Sequence, residues 1–233
     1  MKNKKSIVMV ASYGGPYGGN FIPSLIEYDK AVKAQGFRTV YVFPEFIKES
    51  AWVETMERIA DEVYFIPYNA YSLDNILRIR KICKDEDAVL IYSRMTGWDI
   101  TARFAMPRLP LIWHFEMGHN FSSLKVKLKY WFKYNLLGFG KTYHIAVSEN
   151  AAQVINSLHV KNKCVWIANA INTNRLVEKE TTDYQSPIRL LAFAYAPIIK
   201  GFDLALDACE ELNKEKTDYI LMASAQNPTY EYI

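Results

Sequence analysis

Cysteine is scarce in this chain. The three that occur, Cys83, Cys164 and Cys209, are odd in number and far apart, and no two form a C-x-x-C pair. A disulfide scaffold is therefore not expected. The pattern is that of a reducing compartment, with the thiols serving as small buried hydrophobes. Long apolar runs are missing too, so no segment is expected to span a bilayer. The start, "MKNKKSIVMVAS", has the basic-then-apolar order of a signal peptide, but Ile7–Ala11 is too short for its apolar core and reads as a first strand. An excess of one charge is also lacking. The formal balance is only +3, which gives no reason to expect a nucleic-acid partner. There is no internal repeat and no low-complexity tract. The expected location is the cytoplasm, with room for a peripheral place at the inner face of the membrane.

What is plentiful is apolar and aromatic surface. Half of the 233 residues are hydrophobic, and the aromatics include 16 Tyr and 12 Phe. Such rings serve a core, or meet sugars or lipid surfaces. Short apolar runs alternate with helical patterns. "SIVMVAS", "RTVYVFP", "EVYFIP", "DAVLIYS", "PLIWHF", "YHIAVS" and "CVWIAN" read as seven strands. Helices are expected over Asn20–Gln35, over Ser50–Ala60 with Ser50 as N-cap, over Leu73–Cys83, over Ser123–Leu137 and from Glu149. Strands that are apolar throughout, separated by helices, predict a Rossmann-like, doubly wound parallel α/β sheet covered on both faces. This first domain is expected over residues 1–170. The polar stretch 171–187 reads as a linker, and 188–233 as an incomplete second α/β domain of strand, helix and strand.

The most pointed local signal is "ASYGGPYGGNFIPSL", which has four glycines between a strand and a helix. A bare backbone at the carboxyl end of a first parallel strand suits a ligand that approaches the main chain at a helix N-terminus. Neither G-x-G-x-x-G nor a Walker lysine is present. A second signal is "IIKGFDLALDA", where Lys200 stands at a helix start. The helix dipole disfavours a cation there unless the cation faces an anion held at the same place.

Together with "HIAVSENAAQVI" and "VWIANAIN", these segments resemble GT-B glycosyltransferases of the retaining, family-four type found in bacterial polysaccharide synthesis. The likeness extends over nearly the whole chain. It implies transfer of a sugar from a nucleotide-sugar donor to a saccharide or lipid-linked acceptor, with no metal and no cofactor. Gly18 and Gly19 would then approach the donor's phosphate or sugar, and Lys200 would grip the diphosphate. His114 would contact the transferred sugar, with Asn20 and Glu116 as neighbours for acceptor or sugar. Two departures matter. "FAYAPIIKG" lacks the family's arginine before the lysine, with Arg189 only on the preceding strand. The two-glutamate motif for the donor falls beyond Ile233, so an incomplete donor site is expected.

"WHFEMGHNF" places His114, Glu116 and His119 together, but without a third firm ligand no metal site is expected. From Met117 to Ser148 there is no acidic residue, while five lysines interleave with Tyr130, Trp131, Phe132 and Tyr134. Such a helix suits an anionic membrane face through Lys125, Lys129, Trp131 and Lys133. It equally suits a helix that packs Leu124, Leu128 and Trp131 on the sheet. Two rivals remain. A non-catalytic acceptor-binding subunit would use the first domain alone. A dinucleotide enzyme is disfavoured, because "RTVYVFP" ends without the acidic residue that would hold a ribose.

Overall fold

Alternate residues of the central strands enter different cores. In β1 (Ser6–Ala11), Val8 and Val10 join one buried cluster and Met9 and Ala11 the other. β2 (Arg38–Pro44) repeats this with Val40 and Val42 against Tyr41 and Phe43. Both faces of the sheet are thus apolar and both must be covered by helices. The computed structural model describes residues 4–116, 123–169, 188–193, 201–214 and 219–224.

The chain divides into two compact units, Met1–Arg175 and Leu176–Ile233. In the first, β3 (Glu62–Ile66), β4 (Ala88–Arg94), β5 (Leu111–Phe115), β6 (Thr142–Ala146) and the short β7 (Val165–Trp166) complete a parallel sheet in the order β3-β2-β1-β4-β5-β6-β7. This is the expected doubly wound architecture. The winding reverses between β1 and β4, so the loops leaving these two strands diverge and open a crevice at their carboxyl ends.

The helices are α1 (Phe21–Ala34), α2 (Val53–Ile59), α3 (Leu73–Asp85), α4 (Asp99–Ala105), α5 (Leu124–Phe132) and α6 (Glu149–Asn156). A 3-10 turn, Glu45–Ile47, follows β2, and a π-helical turn, Lys133–Leu137, continues α5. Ser72, Ser123 and Ser148 each accept a backbone N–H at the start of their helices, so α3, α5 and α6 are capped by side chains. Ser50 does not cap α2. Its carbonyl accepts from Val53 in a preceding turn, and Trp52 takes the cap position to keep its ring in the core.

Helix α4 is absent from the sequence expectation. It is seven residues long and carries Thr101 and Arg103, polar residues that are both buried. Arg103 donates to the carbonyls of Met106, Pro107, Leu109 and Lys141 and to Thr142 Oγ1. These acceptors serve Nη1 and Nη2 and let the side chain stay inside, while buried Nε has no hydrogen-bond partner among the described residues; burial lowers the pKa to about 10.

The second unit is described through β8 (Ile188–Phe193), α7 (Phe202–Lys214) and β9 (Tyr219–Ser224), with β8 and β9 parallel. Gly201 precedes α7 at φ +68, a conformation that a side chain would strain.

Candidate active site

The crevice edge is built by the ends of β1, β4 and β5. On β4, Ser93 Oγ donates to Asp99 Oδ1 at 2.6 Å and Tyr92 hydroxyl pairs with His114 Nδ1 on β5. Arg94 closes β4. Its Nε donates to Glu116 Oε1 at 2.6 Å and its Nη1 to Ser24 Oγ at 3.2 Å, while its guanidinium lies 4.7 Å from the centre of the Phe21 ring. An arginine and a glutamate, both nearly buried, thus face each other at the mouth of the sheet, held by α1 from one side. The pairing places Arg94 beside His114 in the sheet register.

His114 is 7% exposed. Burial, reinforced by the Arg94 charge, pulls its pKa down to about 3, so the ring is neutral at physiological pH. The Tyr92 phenol, pushed up to about 12 by burial, stays protonated and needs an acceptor. His114 Nδ1 is that acceptor, which leaves the proton on Nε2. Nε2 is buried and has no hydrogen-bond partner among the described residues. Chemically this is a fixed neutral donor and not a proton shuttle, because an imidazole titrating near 3 does not take up a second proton at neutral pH.

The glycine loop sits at the same edge. Most of its bareness serves the protein's own rings. A methyl at Gly14 would come within 2.9 Å of Phe46 Cζ, one at Gly15 within 2.5 Å of the Tyr13 hydroxyl, and one at Gly18 within 3.2 Å of Ile22. Trp52 Nε1 donates to Gly15 O at 3.1 Å, and Tyr13 stacks on Phe21 with centroids 4.3 Å apart. Gly19 is required by its backbone, at φ +50, and a methyl there would meet nothing closer than 3.9 Å. Of the predicted donor contacts, Gly19 is therefore the one with free space, and Gly18 is packed. Asn20 is the N-cap residue of α1.

The loop after β4 faces the glycine loop. Met95 and Thr96 both hold positive φ, at 67 and 55. Ser12 Oγ ties them down, donating to Met95 O at 3.0 Å and accepting from Gly97 N at 3.1 Å. A methyl on Gly97 would meet Ser12 Oγ at 2.5 Å. Two left-handed non-glycine residues at a crevice are backbone strain held by the surroundings.

The structure brings His114, Glu116, Gly18, Gly19 and Asn20 to one edge of one sheet. Lys200 and His119 lie outside the described residues. Arg94 and Tyr92 are additions that sequence reasoning missed. A signal for Arg94 existed: it is a charge directly closing an apolar strand, "AVLIYSR", one β-strand away from "WHFE".

The lysine-rich helix departs from expectation in two ways. Leu124, Leu128 and Trp131 are 83%, 62% and 40% exposed, so they do not pack on the sheet. Lys125 and Lys129 are exposed as well. Lys133, expected among the membrane-facing residues, instead turns inward. Its Nζ lies 3.0 Å from Asp99 Oδ2 and over the rings of Trp113 and Tyr134, because buried Asp99 needs a counter-charge. Among the described residues no group of three or more His, Cys, Asp or Glu is placed to hold a metal ion, and no helix is long and apolar enough to cross a membrane.

No protein-family model and no curated protein matches the sequence. Solved structures do share the fold. A glycosyltransferase from Rickettsia africae aligns at TM-score 0.60 with 13% identity, covering 96% of this chain and 69% of that one. The lipopolysaccharide outer core galactosyltransferase WaaB, in its apo form, aligns at TM-score 0.55 with 10% identity, covering 96% and 68%. UDP-GlcNAc 2-epimerase from Neisseria meningitidis, bound to UDP-GlcNAc, aligns at TM-score 0.54 with 15% identity, covering 96% and 66%. The chain thus spans about two thirds of the length of these neighbours, and what it shares with nucleotide-sugar enzymes is the GT-B architecture.

Proposed function

We propose that the chain belongs to a glycosyltransferase that moves a sugar from a nucleotide-sugar to a saccharide or lipid-linked acceptor without a metal. The observation that carries this reading is the buried Tyr92–His114 and Arg94–Glu116 set at the crevice edge, in a fold shared with nucleotide-sugar enzymes. The leaving nucleotide gains negative charge as its bond to the sugar breaks. Lys200 and the N–H groups at Gly18 and Gly19 are the proposed stabilisers of that charge, which needs no proton transfer from the protein. His114, neutral and donating through Nε2, is proposed to hold a hydroxyl of the transferred sugar. Glu116 and Asn20 are the proposed contacts for acceptor or sugar, and α5 the proposed contact with an anionic membrane.

Two other readings have support. Epimerases are among the structural neighbours, so interconversion of a UDP-sugar is the second. It demands groups that give and take a proton at carbon, and His114 is poorly suited to that task because its pKa is depressed. The third is a non-catalytic acceptor-binding subunit that uses the first unit alone.

The test is thermal unfolding of the chain with UDP-, GDP- and ADP-sugars, followed by chromatography of the nucleotide after incubation. A ligand present at 100 times its Kd stabilises by roughly 2.7 kcal/mol. A shift for one nucleotide class, lost in Lys200→Ala, with nucleoside diphosphate released only when a saccharide acceptor is added to take the sugar, supports transfer. An epimerised but intact nucleotide-sugar supports the second reading. No shift with any nucleotide-sugar leaves the third.

A further inference from the structure

The carboxyl edge of the sheet carries aromatic rings that the core does not use. Phe46, in the turn after β2, is 61% exposed, and Tyr68, in the loop after β3, is 56% exposed. They meet edge to face, with centroids 5.6 Å apart and planes at 87°. Tyr17 on the glycine loop and Tyr71 before α3 are exposed at the same edge. All four follow the carboxyl ends of β1, β2 or β3, beside the crevice.

The pair is supported from below. The far end of the Phe46 ring rests where Gly14 has no side chain, and any residue but glycine at that position would push the ring away. Tyr68 is seated 6.2 Å from fully buried Trp98. A large apolar ring left in water at a fixed place, with a glycine reserved for it, is a feature that folding alone does not reward.

We infer that Phe46 and Tyr68 form a stacking platform for a sugar ring of the acceptor, an inference that rests on the glycosyltransferase reading. A pyranose has a face of C–H groups and a rim of hydroxyls. Phe46 supplies the apolar contact, and the phenols of Tyr17, Tyr68 and Tyr71 supply hydrogen-bonding partners for the rim. The charge pattern argues against a lipid head group here. None of the four residues is a cation, and Lys48, the nearby lysine, lies over the Phe65 ring at 5.9 Å. Three exposed lysines, Lys125, Lys127 and Lys129, stand together on α5, between β5 and β6, and not on these loops. The acceptor is therefore read as presenting a neutral sugar unit to the loops after β1–β3.

Saturation-transfer NMR on the whole 233-residue chain tests this. The probes are the methyl glycosides of glucose, galactose, mannose and N-acetylglucosamine, with UMP as a flat competing ring. At least one glycoside is expected to receive saturation at its ring C–H protons. The signal should fall at least fivefold in Phe46→Ala and in Gly14→Val, and persist in Phe46→Trp, with unfolding temperatures within a few degrees of the parent. The inference is overturned if no glycoside responds, if Phe46→Ala responds like the parent, or if UMP alone binds in a Phe46-dependent way. A thermal shift by a nucleotide-sugar with no glycoside signal would sink the platform and leave the transferase reading intact. A Phe46-dependent glycoside signal with no nucleotide-sugar shift would do the reverse.

Discussion

His114 makes the stability of this protein depend on pH in a direction that its burial sets. The unfolded imidazole titrates near 6.5, and the folded one near 3 because burial and Arg94 both oppose its charge. Between those values the unfolded chain binds a proton that the folded chain refuses. Stability is therefore complete above about pH 6.5 and is lost as the pH falls toward 3. For one such group the loss between pH 7 and pH 5 is about 2 kcal/mol. His144, buried among Trp113, Phe115 and Tyr134 and also lowered by burial, acts in the same direction. Urea unfolding at pH 7, 6 and 5 on the parent and on His114→Gln separates the contribution. Carboxylates titrate alike in both proteins and cancel in the difference. The variant should be less stable at pH 7, and the gap should narrow by about 2 kcal/mol at pH 5. Parallel pH profiles would show that His114 is not held neutral by its surroundings, and the tautomer argument for Nε2 as a fixed donor would fall with it.

Breaking either buried ion pair should cost more than removing a surface one. Glu116→Gln leaves Arg94 with a hydrogen-bond acceptor but no charge partner, and a loss of about 3 kcal/mol is expected in urea unfolding at neutral pH. Lys133→Met leaves buried Asp99 with the Ser93 hydroxyl as the one partner of its carboxylate among the described residues, so a similar loss is expected, and Asp99→Asn in the same chain should recover most of it.

The strands were legible because each is a short apolar run, buried on both faces in β1 and β2 and exposed at both residues of the edge strand β7, a pattern that survives without knowledge of its neighbours. The parallel order followed from their alternation with helices. Helix α4 was not legible, since its seven residues include Arg103, whose partners are carbonyls up to 38 residues away. The glycine loop was legible as a place and not as a cause. Gly14 answers to Phe46, and Gly15 to Tyr13 and Trp52, pairings that only the folded chain brings together. The same holds at the site. His114 stood out as a histidine after an apolar strand, while the residue that tunes it, Arg94, lies 20 positions earlier on the adjoining strand.

Helix α5 shows why an amphipathic pattern alone could not decide between core and surface. None of its nine residues is buried. What holds the segment is the turn behind it, where Tyr134 packs against Trp113 and Phe115 and Lys133 pairs with Asp99. With its attachment moved to the π-helical turn, α5 is free to present Leu124, Leu128, Trp131 and Phe132 to solvent beside Lys125 and Lys129. A surface of that kind is stable in water only at a cost, and an anionic bilayer removes it by burying the apolar stripe while the lysines meet phosphate. Flotation with vesicles of mixed zwitterionic and anionic lipid is therefore expected to recover the protein. Leu124→Glu with Leu128→Glu should abolish recovery without lowering stability, because neither side chain belongs to the core. High salt should weaken binding in the parent, by screening the lysines. Recovery that survives the double substitution would place the membrane contact elsewhere and leave the exposed stripe of α5 without a lipid role.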